Sequence, residues 1–190
     1  MVKLNTPQIN LNLIATDFNL LGVDGKYHSL KEIGDKPFIV MFICNHCPFV
    51  KRIINDLSLE IKKIKDDYKV NTFAIMPNDV EAYPDDSHEE MKKFSTNHGL
   101  CFPYLIDEKQ DIAKAYGAVC TPDIFIFNSS KKLRYRGRFD NINDIKYKFV
   151  EGKSELYNAV KKIIENEDVD LSNDVVHGIG CSIKWKDKNI

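Results

Sequence analysis

Residues Phe38 to Ile43 form an unbroken run of six apolar residues, and from Val50 the pattern changes to helical spacing at Val50, Ile53, Ile54, Leu57, Ile61 and Ile64. The run predicts a buried strand, and the periodic part predicts an amphipathic helix. Lys51, Arg52, Asp56, Glu60, Lys62, Lys63 and Lys65 fall on the other face of that helix. Pro48 suits a first helical position. Cys44-Asn45-His46-Cys47 therefore stands on a strand-to-helix turn.

The rest of the chain alternates in the same way. Residues 9–18 and 20–26 predict short strands, with Asp24-Gly25 as a hairpin signal, and Ser29 is a candidate N-cap for a helical turn ending near Ile33. A second buried strand is predicted at 71–76, stopped by Pro77-Asn78-Asp79. A helix follows at about 87–97, closed by Gly99, then an extended stretch at 100–106 and a helix at 109–116 that Gly117 terminates. Residues 118–128 predict a strand containing Thr121-Pro122, and 132–139 a returning strand after the turn Asn128-Ser129-Ser130. A helix at 155–165 places Leu156, Val160, Ile163 and Ile164 on one side. Residues 178–186 read as short and irregular, and 167–173 as the most flexible stretch.

Composition narrows the function classes. At 190 residues, one domain with a C-terminal tail from 166 is the simplest organisation. With 43% hydrophobic and 29% charged residues, the chain reads as soluble and globular. A net charge of −1 gives no reason to expect a nucleic-acid or anionic-membrane partner. No run is long and apolar enough for a signal peptide or a membrane span, so a cytoplasmic protein is expected. Five cysteines, of which only two are closely spaced, do not make a secreted disulfide framework.

The closely spaced pair carries the chemistry. Helix N-termini and C-x-x-C settings lower a thiol pKa to roughly 3.5–7.5 from a free value near ~8.5. Cys44 is accordingly expected to be the thiolate, with Cys47 placed to resolve a mixed disulfide and His46 to tune the pair. Half a zinc site and two buried structural thiols are the alternatives for the same motif. Cys120, before Thr121-Pro122, is expected to pack as a small hydrophobe, with a third redox thiol as its alternative; Cys101 is expected in the core. Cys181, in the tail, is a candidate additional redox thiol. His28, His88, His98 and His177 lack metal-ligand spacing, and the acidic group Glu81, Asp85, Asp86, Glu89 and Glu90 reads as a solvated loop and helix start.

The order strand, C-x-x-C, helix, strand, helix, Thr-Pro, hairpin and helix resembles the thioredoxin fold in its longer, peroxiredoxin-like form. Cys44-Asn45-His46-Cys47-Pro48-Phe49-Val50-Lys51, Asn78-Asp79-Val80-Glu81-Ala82-Tyr83-Pro84, Thr121-Pro122-Asp123 and Gly180-Cys181-Ser182-Ile183-Lys184-Trp185-Lys186 are similar to a redoxin group related to the alkyl hydroperoxide reductase and thiol-specific antioxidant proteins. The resemblance implies a three-layer α/β/α sandwich with a mixed central sheet and an N-terminal β-hairpin extension. It also implies that Pro122 is the cis-proline facing the C-x-x-C and that Thr121, Pro122 and Cys120 border the substrate. In peroxiredoxins a T-x-x-C-P pattern carries the peroxidatic thiol. Here Cys44 replaces that threonine, Cys47-Pro48 keeps the peroxidatic position, and Thr121-Pro122 replaces the region of the peroxiredoxin arginine.

These departures favour thiol–disulfide exchange over hydroperoxide reduction. The expected function is a thiol–disulfide oxidoreductase with no cofactor and no metal. Its substrate would be a protein or small-molecule disulfide or hydroperoxide, and its electron donor a thiol such as thioredoxin or glutathione. A thiol peroxidase is the alternative reading, and a metal-binding or carrier protein using the two thiolates is a third.

Overall fold

The computed structural model describes residues 2–8, 10–144, 146–171 and 177–187. In chain order the elements are β1 (Lys3–Asn5), β2 (Asn19–Gly22), β3 (Tyr27–Ser29), β4 (Phe38–Phe42), α1 (Pro48–Tyr68), β5 (Asn71–Met76), α2 (His88–Asn97) and β6 (Tyr104–Ile106). They continue with α3 (Asp111–Ala115), β7 (Cys120–Thr121), β8 (Asp123–Phe127), β9 (Leu133–Gly137), α4 (Glu155–Glu165) and β10 (Ile179–Ser182).

Strand β4 is apolar at every position because both of its faces are covered. Ile39 and Met41 point into one core, and Phe38, Val40 and Phe42 into the other. Strand β8 repeats the alternation, with Ile124 and Ile126 on the first side and Phe125 and Phe127 on the second. Helices α1, α2 and α4 close the first core. The second is closed by Ala113 of α3, by Leu30 and Ile33 of a short 3-10 turn, and by Ala15 and Phe18. The main sheet has the order β3-β2-β6-β5-β4-β8-β9. Strand β4 runs parallel to β5 and antiparallel to β8, so the central sheet is mixed.

Caps and turns follow the sequence signals closely. Ser87 and Ser154 accept hydrogen bonds from Glu90 N and Tyr157 N at the starts of α2 and α4. Gly99 and Gly117 take positive φ just past α2 and α3. The predicted hairpin forms around Asp24-Gly25, joining β2 to β3.

Three local expectations change. The stretch 10–18 is no strand; it makes a single bridge between Ile14 and Lys132, and its ordering force is burial of Ala15 and Phe18. Ile9 lies outside the described residues. Helix α3 is shorter than 109–116, because Gln110 adopts a left-handed φ of 64°. Ile164 sits at the solvent edge of α4.

The C-terminal segment differs most. Residues 179–182, expected to be irregular, form β10, the middle strand of a second sheet β1-β10-β7. The preceding stretch is tied down as far as it is described: the Glu167 carbonyl accepts from Asn128 Nδ2 and Arg134 Nε, and Leu171 is buried. Residues 172–173 of the expected flexible region lie outside the described residues. No helix among the described residues is long and apolar enough to cross a membrane.

Candidate active site

The site begins where β4 ends. Ile43 still donates its N–H to Ile75 O at 3.0 Å, and the chain then turns through Cys44, Asn45 and His46 into α1. Cys47 is the N-cap of α1, Pro48 is its first residue, and the Cys47 carbonyl takes the first helical bond, from Lys51 N, at 2.9 Å. The Thr121–Pro122 peptide is cis. Proline has no N–H to give a ladder, so the strand breaks there into β7 and β8, and β7 leaves for the second sheet.

Thr121 meets both thiols. Its hydroxyl lies 3.2 Å from Cys44 Sγ, and its carbonyl accepts from the Cys47 thiol at 3.1 Å. Cys181 of β10, opposite Thr121 in the ladder, also contacts Cys47. Cys44, Cys47, Cys120 and Cys181 are buried.

Sequence patterning concealed Asp86. It belongs to an acidic group expected to be solvated, yet it is fully buried. Its Oδ1 accepts from the backbone N–H groups of Asn45 at 2.8 Å and His46 at 3.3 Å. Its Oδ2 accepts from His46 Nδ1 at 2.6 Å and Asn78 Nδ2 at 2.7 Å. A buried carboxylate would cost several kcal/mol in desolvation if left alone. These donors offset that cost and in turn fix the loop between the two cysteines. Tyr104 and Asn45 extend the network: the Tyr104 hydroxyl donates to Asn45 Oδ1 at 3.0 Å, and Asn45 Nδ2 donates to Asp85 O. His46 stacks on Tyr83, 5.5 Å between ring centres.

The network sets which sulfur carries charge. The pKa of Cys47 is drawn down to about 5, first by the hydrogen bond from Cys44, then by the N–H groups of Val50 and Cys181, against its own burial. The contact with the Thr121 carbonyl opposes ionisation, but the donors outnumber it. Cys44 moves far the other way: the neighbouring Cys47, burial and the charge of Asp86 all disfavour its thiolate, and only the Thr121 hydroxyl favours it. These directions run against the expected Cys44 thiolate. Helix α1 starts at Pro48, as the sequence indicates, and with Cys47 as its N-cap the N–H of Val50 in its first turn favours a charge on Cys47. Cys120 is pushed up to about 12 by burial and by Asp123. Cys101 is half-buried, away from the pair, and donates to Ser58 O.

Cys44, His46 and Asp86 offer ligand atoms within 4.8 Å of one another. Each Asp86 oxygen already accepts two donors, and His46 Nδ1 is engaged with one of them. A cation there would have to displace the bonds that hold the loop, so the cluster fits a hydrogen-bonded redox turn better than a metal centre.

The match to known families agrees with this geometry. The model of the AhpC/TSA family covers residues 11–136, which includes β4, the two cysteines, α1 and the cis-proline. The chain belongs to the AhpC/TSA family. Two solved structures resemble this AhpC/TSA protein over nearly its full length. An uncharacterized conserved protein from Geobacillus kaustophilus is 39% identical, with 98% of this chain and 97% of that one covered and a TM-score of 0.86. A hypothetical protein from Sinorhizobium meliloti 1021 is 33% identical, with 96% and 98% covered and a TM-score of 0.86. At 18% identity, a thiol:disulfide interchange protein of the thioredoxin family from Chlorobium tepidum TLS shares the fold, with 80% and 97% covered and a TM-score of 0.60. No curated protein matches the chain.

Proposed function

We propose that this AhpC/TSA protein is a thiol–disulfide oxidoreductase in which Cys47 attacks and Cys44 resolves. The observation that carries the reading is geometric: Cys47 caps the start of α1, its sulfur is in hydrogen-bond contact with the Cys44 thiol, and Thr121 touches both sulfurs. The Cys47 thiolate attacks one sulfur of a substrate disulfide, and the other sulfur leaves as a thiolate. With Cys47 in a mixed disulfide, the neighbour that most disfavours a charged Cys44 is gone. Cys44 then gives up its proton and attacks Cys47, the second substrate sulfur leaves with that proton, and a Cys44–Cys47 disulfide remains. A thiol donor such as thioredoxin or glutathione returns the pair to the reduced state.

His46 is a positioning residue in this scheme, held by Asp86 and Tyr83. Thr121 touches both sulfurs, and Pro122 borders a small groove lined by Phe49, Ile53, Phe139 and Ile142, with Arg138 and Asp140 beside them. That groove suits the apolar part of a protein or small-molecule disulfide. A reducing compartment, the cytoplasm, suits this thiol chemistry. Hydroperoxide reduction is the second reading. It rests on the same Cys47 charge at the peroxidatic position, and it lacks the threonine hydroxyl that Cys44 replaces.

The test is equilibration of the protein in glutathione redox buffers with mass-spectrometric location of the bond. A reversible Cys44–Cys47 disulfide, with a potential between about −270 and −120 mV like known exchange catalysts, is expected. Absence of that disulfide in every buffer would overturn the reading.

A further inference from the structure

The exchange cycle above leaves one thiol of the cluster without a task. The Cys47 sulfur has thiol contacts on two sides, with Cys44 from the loop and with Cys181 from β10. The second contact is built into the fold. The β7–β10 ladder sets Cys181 directly opposite Thr121, the residue whose carbonyl accepts from Cys47. Gly180 makes the approach feasible, because a Cβ at that position would collide with the Thr121 carbonyl. Just past Cys181 the strand is fixed, through Ser182 N to Val2 O and Ile183 N to Val119 O, each at 2.9 Å. Next, Lys184 N donates to the side-chain oxygen of Asn78, which itself donates to Asp86. One continuous network thus holds both the Cys44–Cys47 loop and the strand carrying Cys181.

We propose that Cys181 is a second resolving thiol for Cys47, so that the Cys44–Cys47 disulfide exchanges internally with a Cys47–Cys181 disulfide. The proposal rests on the exchange reading above. In the step, Cys181 loses its proton and its sulfur bonds to Cys47. The Cys44–Cys47 bond breaks, its electron pair leaves on Cys44, and Cys44 takes up the proton. One disulfide and one thiol become one disulfide and one thiol, with no net oxidation.

The reduced protein keeps this thiol quiet. Burial and the charged Cys47 hold the Cys181 pKa up at about 11. Once Cys47 is in a disulfide its charge is gone, while Lys184 still favours the Cys181 thiolate. Oxidation of the pair therefore activates its own second resolver. The product carries a free Cys44 thiol and stores the oxidising equivalent at β10.

The test uses the full-length Cys44→Ser variant, reduced and then treated with one equivalent of diamide, an azo-compound oxidant that joins two thiols. Peptide mapping is expected to find Cys47 joined to Cys181 in most molecules. Cys181 recovered as a free thiol, with Cys47 blocked by the reagent or joined to a second chain, would overturn the proposal. Wild-type protein oxidised in the same way gives the second measurement. A Cys47–Cys181 species in exchange with Cys44–Cys47 supports the proposal, and Cys181 fully alkylatable in every oxidised molecule contradicts it. Failure of Cys44–Cys47 to form at all in the wild type would instead contradict the exchange reading, so the two failures are separable.

Discussion

Cys47→Ser should reduce disulfide reductase activity to the uncatalysed level, a fall of at least about 10³-fold, as loss of a covalent nucleophile does in other enzymes. Cys44→Ser should behave differently, although the two residues are neighbours in one motif. It keeps the attacking sulfur and loses a resolver, so it should accumulate a mixed disulfide between Cys47 and substrate or glutathione. Steady-state reduction of a model disulfide, followed by mass spectrometry of the trapped species, distinguishes the two variants. A mixed disulfide at Cys44 in the Cys47→Ser variant, with turnover retained, would reverse the roles. The Cys47 charge also contributes to folding. Its folded pKa, about 5, lies below the value of 9.0 for an unperturbed thiol. The stabilisation is therefore complete above that unperturbed value and is lost as pH falls through about 5. Cys47→Ser should remove this pH dependence from the reduced protein.

Asp86→Ala is expected to destabilise the reduced protein by about 3–5 kcal/mol, the usual consequence of removing one side of a buried charged network. The substitution leaves the N–H groups of Asn45 and His46, His46 Nδ1 and Asn78 Nδ2 without their acceptor. Each buried donor stranded in this way costs about 1–3 kcal/mol, less where water enters. Urea denaturation under reducing conditions measures the sum. Asp86→Asn separates charge from shape: it keeps the volume and one acceptor, and removes the negative charge that disfavours a Cys44 thiolate. A loss below about 1 kcal/mol for Asp86→Ala would show that the loop between the cysteines is held by other contacts.

Both buried strands and all three long helices could be read from periodicity, because β4, β5, α1, α2 and α4 show uninterrupted burial or one apolar face. The cysteine pair was legible for the same reason: its flanking elements are unambiguous. Strand β10 was not, because Gly180, Cys181 and Ser182 lack the β-branched, alternating pattern of an isolated strand. Its neighbours β1 and β7 lie far away in sequence and supply the ladder. Asp86 was hidden by company: nothing local distinguishes it from Asp85, and only the distant Asn45, His46 and Asn78 make its burial tolerable. The start of α1 at Pro48 was legible, but the choice of charged sulfur depended on residues distant in sequence, with Asp86 opposing a charge on Cys44 and Cys181 favouring one on Cys47.

The central claim is that the reduced site carries its negative charge on Cys47. Thiolate absorbance near 240 nm, followed from about pH 4 to 9 in reduced wild type, Cys44→Ser and Cys47→Ser, tests it most directly. One thiolate should appear near pH 5 in the wild type as pH rises. The step should persist in Cys44→Ser, whose hydroxyl can still donate to the Cys47 sulfur, and disappear in Cys47→Ser. A low-pH step that persists in Cys47→Ser and vanishes in Cys44→Ser would contradict the account.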